Sequence, residues 1–409
     1  MPTVSVLIPN YNRPRMLQDA IRSVLAQTYQ DFEILVVDDG STEDIPAALI
    51  PFADRVRYVR KENGGCASAK NYGLDLVTGE YVAVIDNDDL WLPRKLERQV
   101  QVLKSKPNVG LVSCQVFVMD DDARVMARPP QGAGRETPVV SLAELVEQNV
   151  IVGGSSAQMV RTAALRNIGG FDTQIYHDDW DCWVRLARDW RIWMIDEPLA
   201  YYRINSQGYR NHAPLPARAD SIHQSMLQVS ERAYSYLTDE QDDVEPIRAR
   251  ARAREYLRHA LVLYAIERQT EGREAWEQAI ACDADITTDS EIVNTSIIDC
   301  ATGYAMGFCG REREREANRI LASILSDLPH AMRSMQDQHA QVEARLLAEL
   351  AFLAAQQGEA AEARTLAWRC LTRDHTWVRN IGLMKLLVTG GREHSPVPVQ
   401  EHVVRLSSA

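Results

Sequence analysis

Residues 4–9, VSVLIP, form a continuous apolar run rich in β-branched side chains. Runs of the same kind recur at 32–37, 56–59, 81–85 and 110–119. Between them lie stretches whose apolar residues have helical spacing, at 15–27, 67–77 and 93–104. Strands that are apolar on both faces and alternate with helices indicate a parallel sheet covered on both sides. The predicted class of the first half is therefore α/β.

The second half of the chain has a different character. The full length of 409 residues favours two domains. Beyond about residue 213 the strand-like runs disappear, and apolar residues such as Leu257, Leu261 and Tyr264 follow a helical spacing. The segment Leu347–Cys370 resembles one tetratricopeptide (TPR) repeat. We predict domains at 1–212 and 213–409, the second an all-α array of helical hairpins. A plain helical bundle remains open as the alternative.

Composition limits the functional classes. The formal net charge of −12 argues against a general nucleic-acid binder, which would have a basic face. Seven cysteines without a C-x-x-C pair favour neither structural zinc nor a disulfide framework. No signal peptide and no apolar run of spanning length is visible, so a cytoplasmic protein is expected. Peripheral attachment at the inner face of a membrane remains open. Residues 120–140, rich in Pro, Gly and charge, are expected to form a long surface loop.

Acidic clusters follow two of the apolar runs. Asp38 and Asp39 end the second run, and DNDD at 86–89 ends the fourth. Ligands of open α/β sheets bind at the carboxyl ends of strands, so both clusters are expected to face one crevice. Asp86 and Asp88 have D-x-D spacing, and Mg²⁺ or Mn²⁺ is often held by one or two carboxylates plus substrate phosphates. An acidic turn with helix N-caps ahead of Pro93 is the simpler structural alternative. For Asp38 we expect an N-cap as the main role.

These motifs resemble the family-2 inverting glycosyltransferases of the GT-A fold, over residues 1–205. The segments that carry the resemblance are VSVLIPNYN at 4–12, VDDGS at 37–41, NGG at 63–65 through KN at 70–71, IDNDD at 85–89, GGFD at 169–172 and DDWDCW at 178–183. The resemblance implies a GT-A domain with a mixed, mainly parallel sheet that binds a nucleotide diphosphate sugar. The helical half lies outside it.

The resemblance also implies how a donor is held. Pro9, Tyr11 and Asp39 match positions that hold the nucleobase and ribose, with Asp39 accepting the imide N–H of a uracil-type ring. Lys70 matches a cation that contacts the base or the phosphates. Asp86 would lie near the ribose, with Asn87 beside it in the donor site, and Asp88 would ligate Mn²⁺ or Mg²⁺.

For the acceptor side, Asp179 matches the general base, and Asp178 and Trp180 would orient the acceptor. Asp178 stands where the family more often has Glu. Arg203 is expected to contact phosphate. The family commonly has a His two residues after the position of Arg203, where this chain has Asn205, so His177 or His212 would have to substitute, or water would complete the metal shell.

The predicted function is inverting transfer of a hexose-type sugar from a nucleotide diphosphate, with UDP-sugar as the expected donor. The acceptor is open among glycans, lipid-linked intermediates, small molecules and peptides. The helical half is expected to contact the acceptor's carrier or a second copy of the chain. A nucleotidyltransferase that makes nucleotide sugars is one alternative, but Pro9–Arg15 lacks its Gly-rich basic loop. A non-catalytic helical scaffold is another. No G-x-G-x-x-G follows a strand, which excludes a Rossmann dehydrogenase.

Overall fold

The structure is a computed structural model. It describes residues 2–121, 123, 125–127, 136–139, 142, 145, 153–203, 215–237, 244–287, 290–305, 310–329 and 339–389. Asn205, His212 and the predicted domain boundary at 212/213 lie outside the described residues.

Four parallel strands form the first part of the sheet, in the order β3-β2-β1-β4. They are β1 (Val4–Asn10), β2 (Phe32–Asp38), β3 (Val56–Arg60) and β4 (Tyr81–Val84). Every residue of β1 is buried, because β2 and β4 pair with its two edges and helices cover both of its faces. The register places Leu7 opposite both Leu35 and Val84. The carboxyl ends of these strands therefore meet at one edge of the sheet.

The remaining strands are β5 (Leu90–Trp91), β6 (Val109–Met119), β7 (Val125–Ala127), β8 (Glu136–Val139), β9 (Met159–Arg161) and β10 (Arg191–Arg203). β9 runs antiparallel between β4 and β6, and β10 runs parallel to β6. The sheet is thus mixed and mainly parallel, which confirms the predicted fold class. The prediction of a continuous surface loop at 120–140 is wrong, since β7 and β8 lie inside it and pair with β6 and β10.

Helices cover both faces of the sheet. They are α1 (Pro14–Leu25), α2 (Ile45–Leu49), α3 (Cys66–Leu76), α4 (Lys95–Ser105), α5 (Thr162–Asn167) and α6 (Asp178–Ala187). Val4, Val6 and Ile8 point into a core shared with α1 and α4. Leu7 points into the opposite core, with α3 and α6. This alternation along β1 follows from the two-residue period of a strand, and it fixes α3 and α6 on the same side of the sheet.

The second half of the chain is helical. Its described helices are α7 (Leu215–Tyr234), α8 (Val244–Ala265), α9 (Gln269–Cys282), α10 (Ser290–Ala305), α11 (Gly310–Ser326), α12 (His339–Gln356), α13 (Ala360–Arg373) and α14 (Ile381–Thr389). Consecutive helices pack as pairs, α8 with α9, α10 with α11, and α12 with α13. They share one core of small and apolar side chains that includes Trp276, Ile297 and Leu347. The TPR-like identity of these pairs stays a prediction.

Helix α7 contacts both halves of the chain, α6 in the first and α8 in the second. Met226, Val229 and Ala233 are buried in the cluster that contains Trp180 and Trp183 of α6. The division at 212/213 stays a prediction, but the helix that follows it packs on the first half of the chain. None of the helices in the described ranges is both long and apolar enough to cross a membrane.

The close approach of Gly79 to β1 gives a stability prediction. A Cβ at Gly79 would lie 2.6 Å from the backbone nitrogen of Ser5 and 2.8 Å from the carbonyl carbon of Val4. Because β1 is paired on both edges, its backbone has little room to shift, and we expect Gly79→Ala to lower the free energy of unfolding by about 1–3 kcal/mol. Urea denaturation measures the change.

Gly303→Ala is the control for this prediction. Gly303 lies in α10, and no heavy atom lies within 4 Å of the position its Cβ would take. Alanine is the better helix former, so this variant should be neutral or more stable by up to about 1 kcal/mol. Equal effects at the two glycines would contradict the packing of residue 79 on β1.

Candidate active site

The ends of β1, β2 and β4 are tied together by polar contacts. The Asp39 N–H donates to the Asn10 carbonyl (2.8 Å), and Asn87 Nδ2 donates to Asn10 Oδ1 (2.7 Å). The Asp86 N–H donates to Ser156 Oγ (2.9 Å), in the turn before β9. The two acidic clusters therefore stand side by side at the carboxyl edge of the sheet.

Asp39 is 3% exposed and anchors the loop that follows β3. Its Oδ1 accepts from Lys61 Nζ (2.7 Å) and the Gly64 N–H (3.0 Å), and its Oδ2 accepts from the Gly65 N–H (2.7 Å). Tyr11 stands at the neighbouring strand end with 37% of its surface exposed, one of few large apolar side chains so exposed in the described ranges. The crevice thus has an aromatic wall beside a fixed carboxylate.

Asp38 supports this edge from below. Its Oδ1 accepts from the N–H and hydroxyl of Ser41, and its Oδ2 accepts from Tyr58 Oη (2.7 Å). Burial, and then the hydrogen bond to Asp38, raise the pKa of Tyr58. The predicted N-cap role of Asp38 is wrong, because Asp44 caps the next helix by accepting from the Ala47 N–H (3.0 Å).

Lys70 is a buried cation among the carboxylates of the crevice. It projects from α3, is 3% exposed, and its Nζ lies 3.0 Å from Asp178 Oδ2 and 2.9 Å from Ser155 Oγ. The same nitrogen lies 4.9 Å from the centre of the Phe171 ring. Burial opposes its charge, but Asp178 and the nearby carboxylates of Asp86 and Asp179 hold the pKa of Lys70 well above its ordinary value.

Asp86 and Asp179 converge on Gly154. A Cβ built on Gly154 would lie 3.7 Å from Asp179 Oδ2 and 4.0 Å from Asp86 Oδ2. Burial raises the pKa of Asp86 to about 6, with further contributions from Asp88, Asp178 and Asp179. Burial and then the Asp178 charge likewise raise the pKa of Asp179. The missing side chain at Gly154 leaves space where these carboxylates face each other.

The remaining D-x-D residues have partners of their own. Asp88 Oδ2 accepts from Arg13 Nη1 at 2.5 Å, and both side chains are partly exposed. Asp89 is 1% exposed and its Oδ1 accepts from the Arg203 N–H (2.7 Å). Burial, and then the charges of Asp88 and Asp86, raise the pKa of Asp89 well above its ordinary value.

The donor set fits a divalent cation that substrate oxygens would complete. Asp86 and Asp88 supply carboxylate oxygens, the ligands that Mg²⁺ and Mn²⁺ prefer. Burial contributes most to the raised pKa of Asp86 and the neighbouring carboxylates raise it further, so a bound cation would favour its ionised form. Within the described ranges no group of three or more His, Cys, Asp or Glu side chains forms a ready-made metal cage. Two carboxylates plus phosphate oxygens suit such a site.

Comparisons with known proteins decide the family. Residues 5–169 match the glycosyl transferase family 2 model. An uncharacterized glycosyltransferase of Rickettsia typhi is 33% identical over 216 residues, which are 52% of this chain and 67% of the relative. Another, from Nostoc sp., is 33% identical over 219 residues, 51% of this chain and 66% of that relative. The chain belongs to glycosyltransferase family 2. The predicted family is thereby confirmed.

The fold of this family-2 glycosyltransferase also has a match among solved structures. The crystal structure of S. aureus TarS 1–349 in complex with UDP-GlcNAc has a TM-score of 0.56 at 16% identity, covering 82% of this chain and 92% of that one. At this identity the likeness shows the fold alone, and it agrees with the predicted GT-A fold.

Three residues predicted to bind ligands in this glycosyltransferase instead support the site from behind. Trp180 is 1% exposed and its indole N–H donates to the Leu145 carbonyl (3.2 Å), so its side chain is not available to an acceptor. Asn87 is buried against Asn10. Arg203 donates from Nε to the Asp88 carbonyl (2.7 Å) and from Nη1 to the carbonyls of Asp120 (2.6 Å) and Asp121 (3.0 Å), so these donors hold the backbone rather than a phosphate.

Several residues at the site had no assigned role from the sequence. Arg13, Gly154, Ser155 and Ser156 all contact or face the acidic residues. The run GGSS at 153–156 was the available signal, since adjacent glycines before polar residues mark a tight backbone turn. His177 is half-buried in a T-shaped contact with Tyr176 (5.0 Å between ring centres), and burial lowers the pKa of its imidazole.

The ion pair of Lys70 and Asp178 gives the prediction for this site. Lys70→Met keeps the apolar stem but leaves the Asp178 carboxylate without its cation. We expect the free energy of unfolding to fall by roughly 2–4 kcal/mol, near the range typical of broken buried pairs, because Asp178 keeps a little solvent contact. Urea denaturation at neutral pH measures the loss.

Arg188→Met is the matched control, since Arg188 pairs with Asp189 in the open, with side-chain exposures of 52% and 43%. Exposed pairs contribute about 0–1 kcal/mol. If Lys70→Met cost no more than Arg188→Met, the pair in the crevice would not be the buried constraint described here.

Proposed function

We propose that this enzyme transfers a hexose-type sugar from a UDP-sugar to an acceptor hydroxyl with inversion, using Asp179 as general base and Mn²⁺ or Mg²⁺ at the D-x-D segment. The observation that carries the proposal is the convergence of Asp179 and Asp86 on the space at Gly154. That space lies at the carboxyl edge of the sheet, where α/β folds bind their ligands.

The strand ends around Tyr11 and Asp39 suit a uracil ring. Tyr11 offers an exposed aromatic face, and Pro9 precedes it in β1. A carboxylate has about four acceptor sites, and the contacts of Asp39 with Lys61, Gly64 and Gly65 fix its orientation. A remaining lone pair would accept the imide N–H of uracil. TarS, which shares the fold, has been crystallised with UDP-GlcNAc, and this supports the same donor class here.

Asp88, with Asp86, would hold the divalent cation between the protein and the diphosphate. When bound, the cation stabilises the negative charge that develops on the leaving diphosphate. The Arg13 guanidinium, already on Asp88, and the Lys70 ammonium supply fixed positive charge at the same edge. The donor's phosphates would complete the metal shell, with water in place of the family's usual His at the position of Asn205.

The surroundings of the two adjacent carboxylates favour Asp179 over Asp178 as the base. Asp178 Oδ2 is held in an ion pair by Lys70 Nζ at 3.0 Å, so this carboxylate oxygen already has a donor. Asp179 makes no ion pair within the described part of the chain, and its pKa is raised. A base with a raised pKa is better matched to deprotonating a hydroxyl near neutral pH.

The reaction is then a single displacement. The acceptor hydroxyl oxygen attacks the anomeric carbon, and its proton passes to Asp179. The bond between the anomeric carbon and the diphosphate oxygen breaks, and its electron pair stays on the diphosphate. One displacement without a covalent intermediate inverts the anomeric centre. Asp178 is assigned the role of orienting the acceptor beside the base.

The helical half is proposed to bind the acceptor's carrier or a second copy of the chain. Paired helices such as α8 with α9 and α12 with α13 are the kind of modules that present interaction surfaces. The proposed domain boundary lies near residue 212, and α7, which follows it, packs on α6 as well as on α8.

Substitution of the two carboxylates tests the assignment of the base. Asp179→Asn should lower kcat about 10²–10⁴-fold, the usual cost of losing a general base, and leave UDP affinity nearly unchanged. Asp178→Asn should act mainly on the KM of the acceptor. The assay is release of UDP from a panel of UDP-sugars with Mn²⁺, with and without a panel of saccharide and lipid-linked acceptors.

The pH profile adds a second measurement. The base must be ionised, and the pKa of Asp179 is raised from its ordinary value of 3.8, so kcat should fall on the acid side at a pH above 3.8. Reversed kinetic profiles would move the base to Asp178. Absence of UDP release from every donor by the wild-type enzyme would contradict the transferase assignment. Full activity in the presence of EDTA would contradict the metal assignment.

Nucleotide selectivity tests the role of Asp39. Uracil and thymine carry an imide N–H and cytosine does not, so UDP, and less strongly dTDP, should bind more tightly than CDP or GDP in calorimetry with Mn²⁺. A hydrogen bond to a charged group contributes about 1.5–3 kcal/mol, and Asp39→Asn should weaken UDP binding by about that amount. Asp44→Asn, at the cap of α2 outside the crevice, is the control. Tightest binding of GDP would overturn the assignment.

A further inference from the structure

We propose that Arg232, on helix α7 of the helical half, is a positioning residue for the catalytic helix α6. The inference rests on the proposed role of Asp179. Through Arg232 the helical half would set the rate of transfer without touching the donor. It also gives a role to Asp172 and Asp181, two acidic motif residues that the proposed chemistry does not use.

Arg232 bridges two segments that flank the base. Its Nη1 pairs with Asp181 Oδ1 on α6, and its Nη2 lies 2.9 Å from Asp172 Oδ2 in the preceding loop. The Asp181 side chain is fully buried, two residues after Asp179. Burial raises the pKa of Asp181, and the guanidinium groups of Arg185 and Arg232 oppose that shift. A buried carboxylate in the first turn of α6 thus depends in part on a cation from another helix.

A second arginine closes the arrangement. Arg185 Nε contacts Asp181 Oδ2 (2.7 Å), and its Nη1 and Nη2 donate to the carbonyls of Ile168 and Gly170, each at 2.7 Å. The loop before α6 is therefore held at Gly170 by Arg185 and at Asp172 by Arg232. Asp181 contacts both arginines, so the two cations together tie the loop to the start of helix α6.

Phe171 connects the loop before α6 to the crevice. The Phe171 backbone makes two hydrogen bonds with the Asn71 side chain, from Asn71 Nδ2 to the Phe171 carbonyl (2.7 Å) and from the Phe171 N–H to Asn71 Oδ1 (2.8 Å). The Phe171 ring packs against Lys70 Nζ, the partner of Asp178. A shift of Asp172 would therefore displace the Lys70–Asp178 pair as well as the start of α6, where Asp179 lies.

The test uses the full-length chain with Arg232→Met, which keeps the apolar stem, and Arg232→Lys, which keeps the charge. Turnover is measured as UDP release from the best UDP-sugar of the panel with Mn²⁺ and water as acceptor. Because a misplacement of about 1 Å can cost about 100-fold in rate, we expect Arg232→Met to lower kcat about 10–100-fold. UDP affinity should stay within about twofold, and Arg232→Lys should recover part of the loss.

The folded fraction, measured by circular dichroism, separates positioning from simple loss of folded enzyme. Fewer folded molecules would lower kcat only in proportion to the folded fraction, whereas a misplaced base lowers kcat further. Asp172→Asn should lower kcat in the same direction, and the double variant should lose less than the product of the two single losses.

Arg248→Met is the matched control, because Arg248 forms a part-exposed pair with Glu231, next to Arg232 in sequence, and should keep wild-type kcat. The inference is overturned if Arg232→Met turns over like wild type, or if its loss of rate equals its loss of folded protein. If Arg232→Met does not fold, the same criteria apply to Arg232→Lys and Asp172→Asn. Inactivity of the wild-type enzyme with every UDP-sugar would overturn the proposed function itself. The results at Arg232 and Asp172 that overturn the inference would leave that function intact.

Discussion

The crevice concentrates carboxylates in a partly buried space, and Lys70 is the cation that makes this arrangement tenable. Asp86, Asp178 and Asp179 all raise the pKa of Lys70, and the Asp178 charge also raises the pKa values of Asp86 and Asp179. The ammonium group of Lys70 pairs directly with Asp178 and opposes those two shifts. The remaining negative charge suits the proposed donor site, where a divalent cation would offset it.

Topology explains why these residues meet. The order β3-β2-β1-β4 with parallel pairing brings the ends of β1, β2 and β4 to one edge, although Asn10 and Asn87 are 77 residues apart. Because β9 runs antiparallel, the turn at Gly154–Ser156 that precedes it lies at the same edge. There Ser156 Oγ accepts from the Asp86 N–H, and Ser155 Oγ accepts from Lys70 Nζ. Helix α6 adds Asp178 and Asp179 from the face it shares with α3. The carboxylates thus come from strand ends and a helix start, and Lys70 comes from within α3.

The sequence predicted the elements whose burial pattern is local. The predicted bounds agree with the structure within a few residues for β1 to β4, α1, α3 and α4, because the apolar runs of these elements are continuous or helically spaced. β10 was missed because Asp196 and Pro198 interrupt its apolar pattern, and its pairing with β6 shifts register there. β9 has three residues, too few for a period. At the site, Asp39, Asp86 and Asp179 could be found from strand ends and family spacing. Arg13, the partner of Asp88, and Arg232, the partner of Asp181, could not be found, because these pairs span 75 and 51 residues and leave no local signal.

The same distinction applies to the helical half. The proposed site residues lie in sequence motifs, whereas a residue that holds those motifs in place, such as Arg232, can come from a distant part of the chain. Asp172 and Asp181 lie within segments that carry the family resemblance, and the cation they share comes from α7. Burial of a charged carboxylate is costly unless a cation lies close by, and Asp181 has two such cations, Arg185 of its own helix and Arg232 of α7. The contact between α7 and α6 therefore contributes to the GT-A half itself, and a division of the chain into an enzyme and an appended helical module cuts through one of the ion pairs of helix α6.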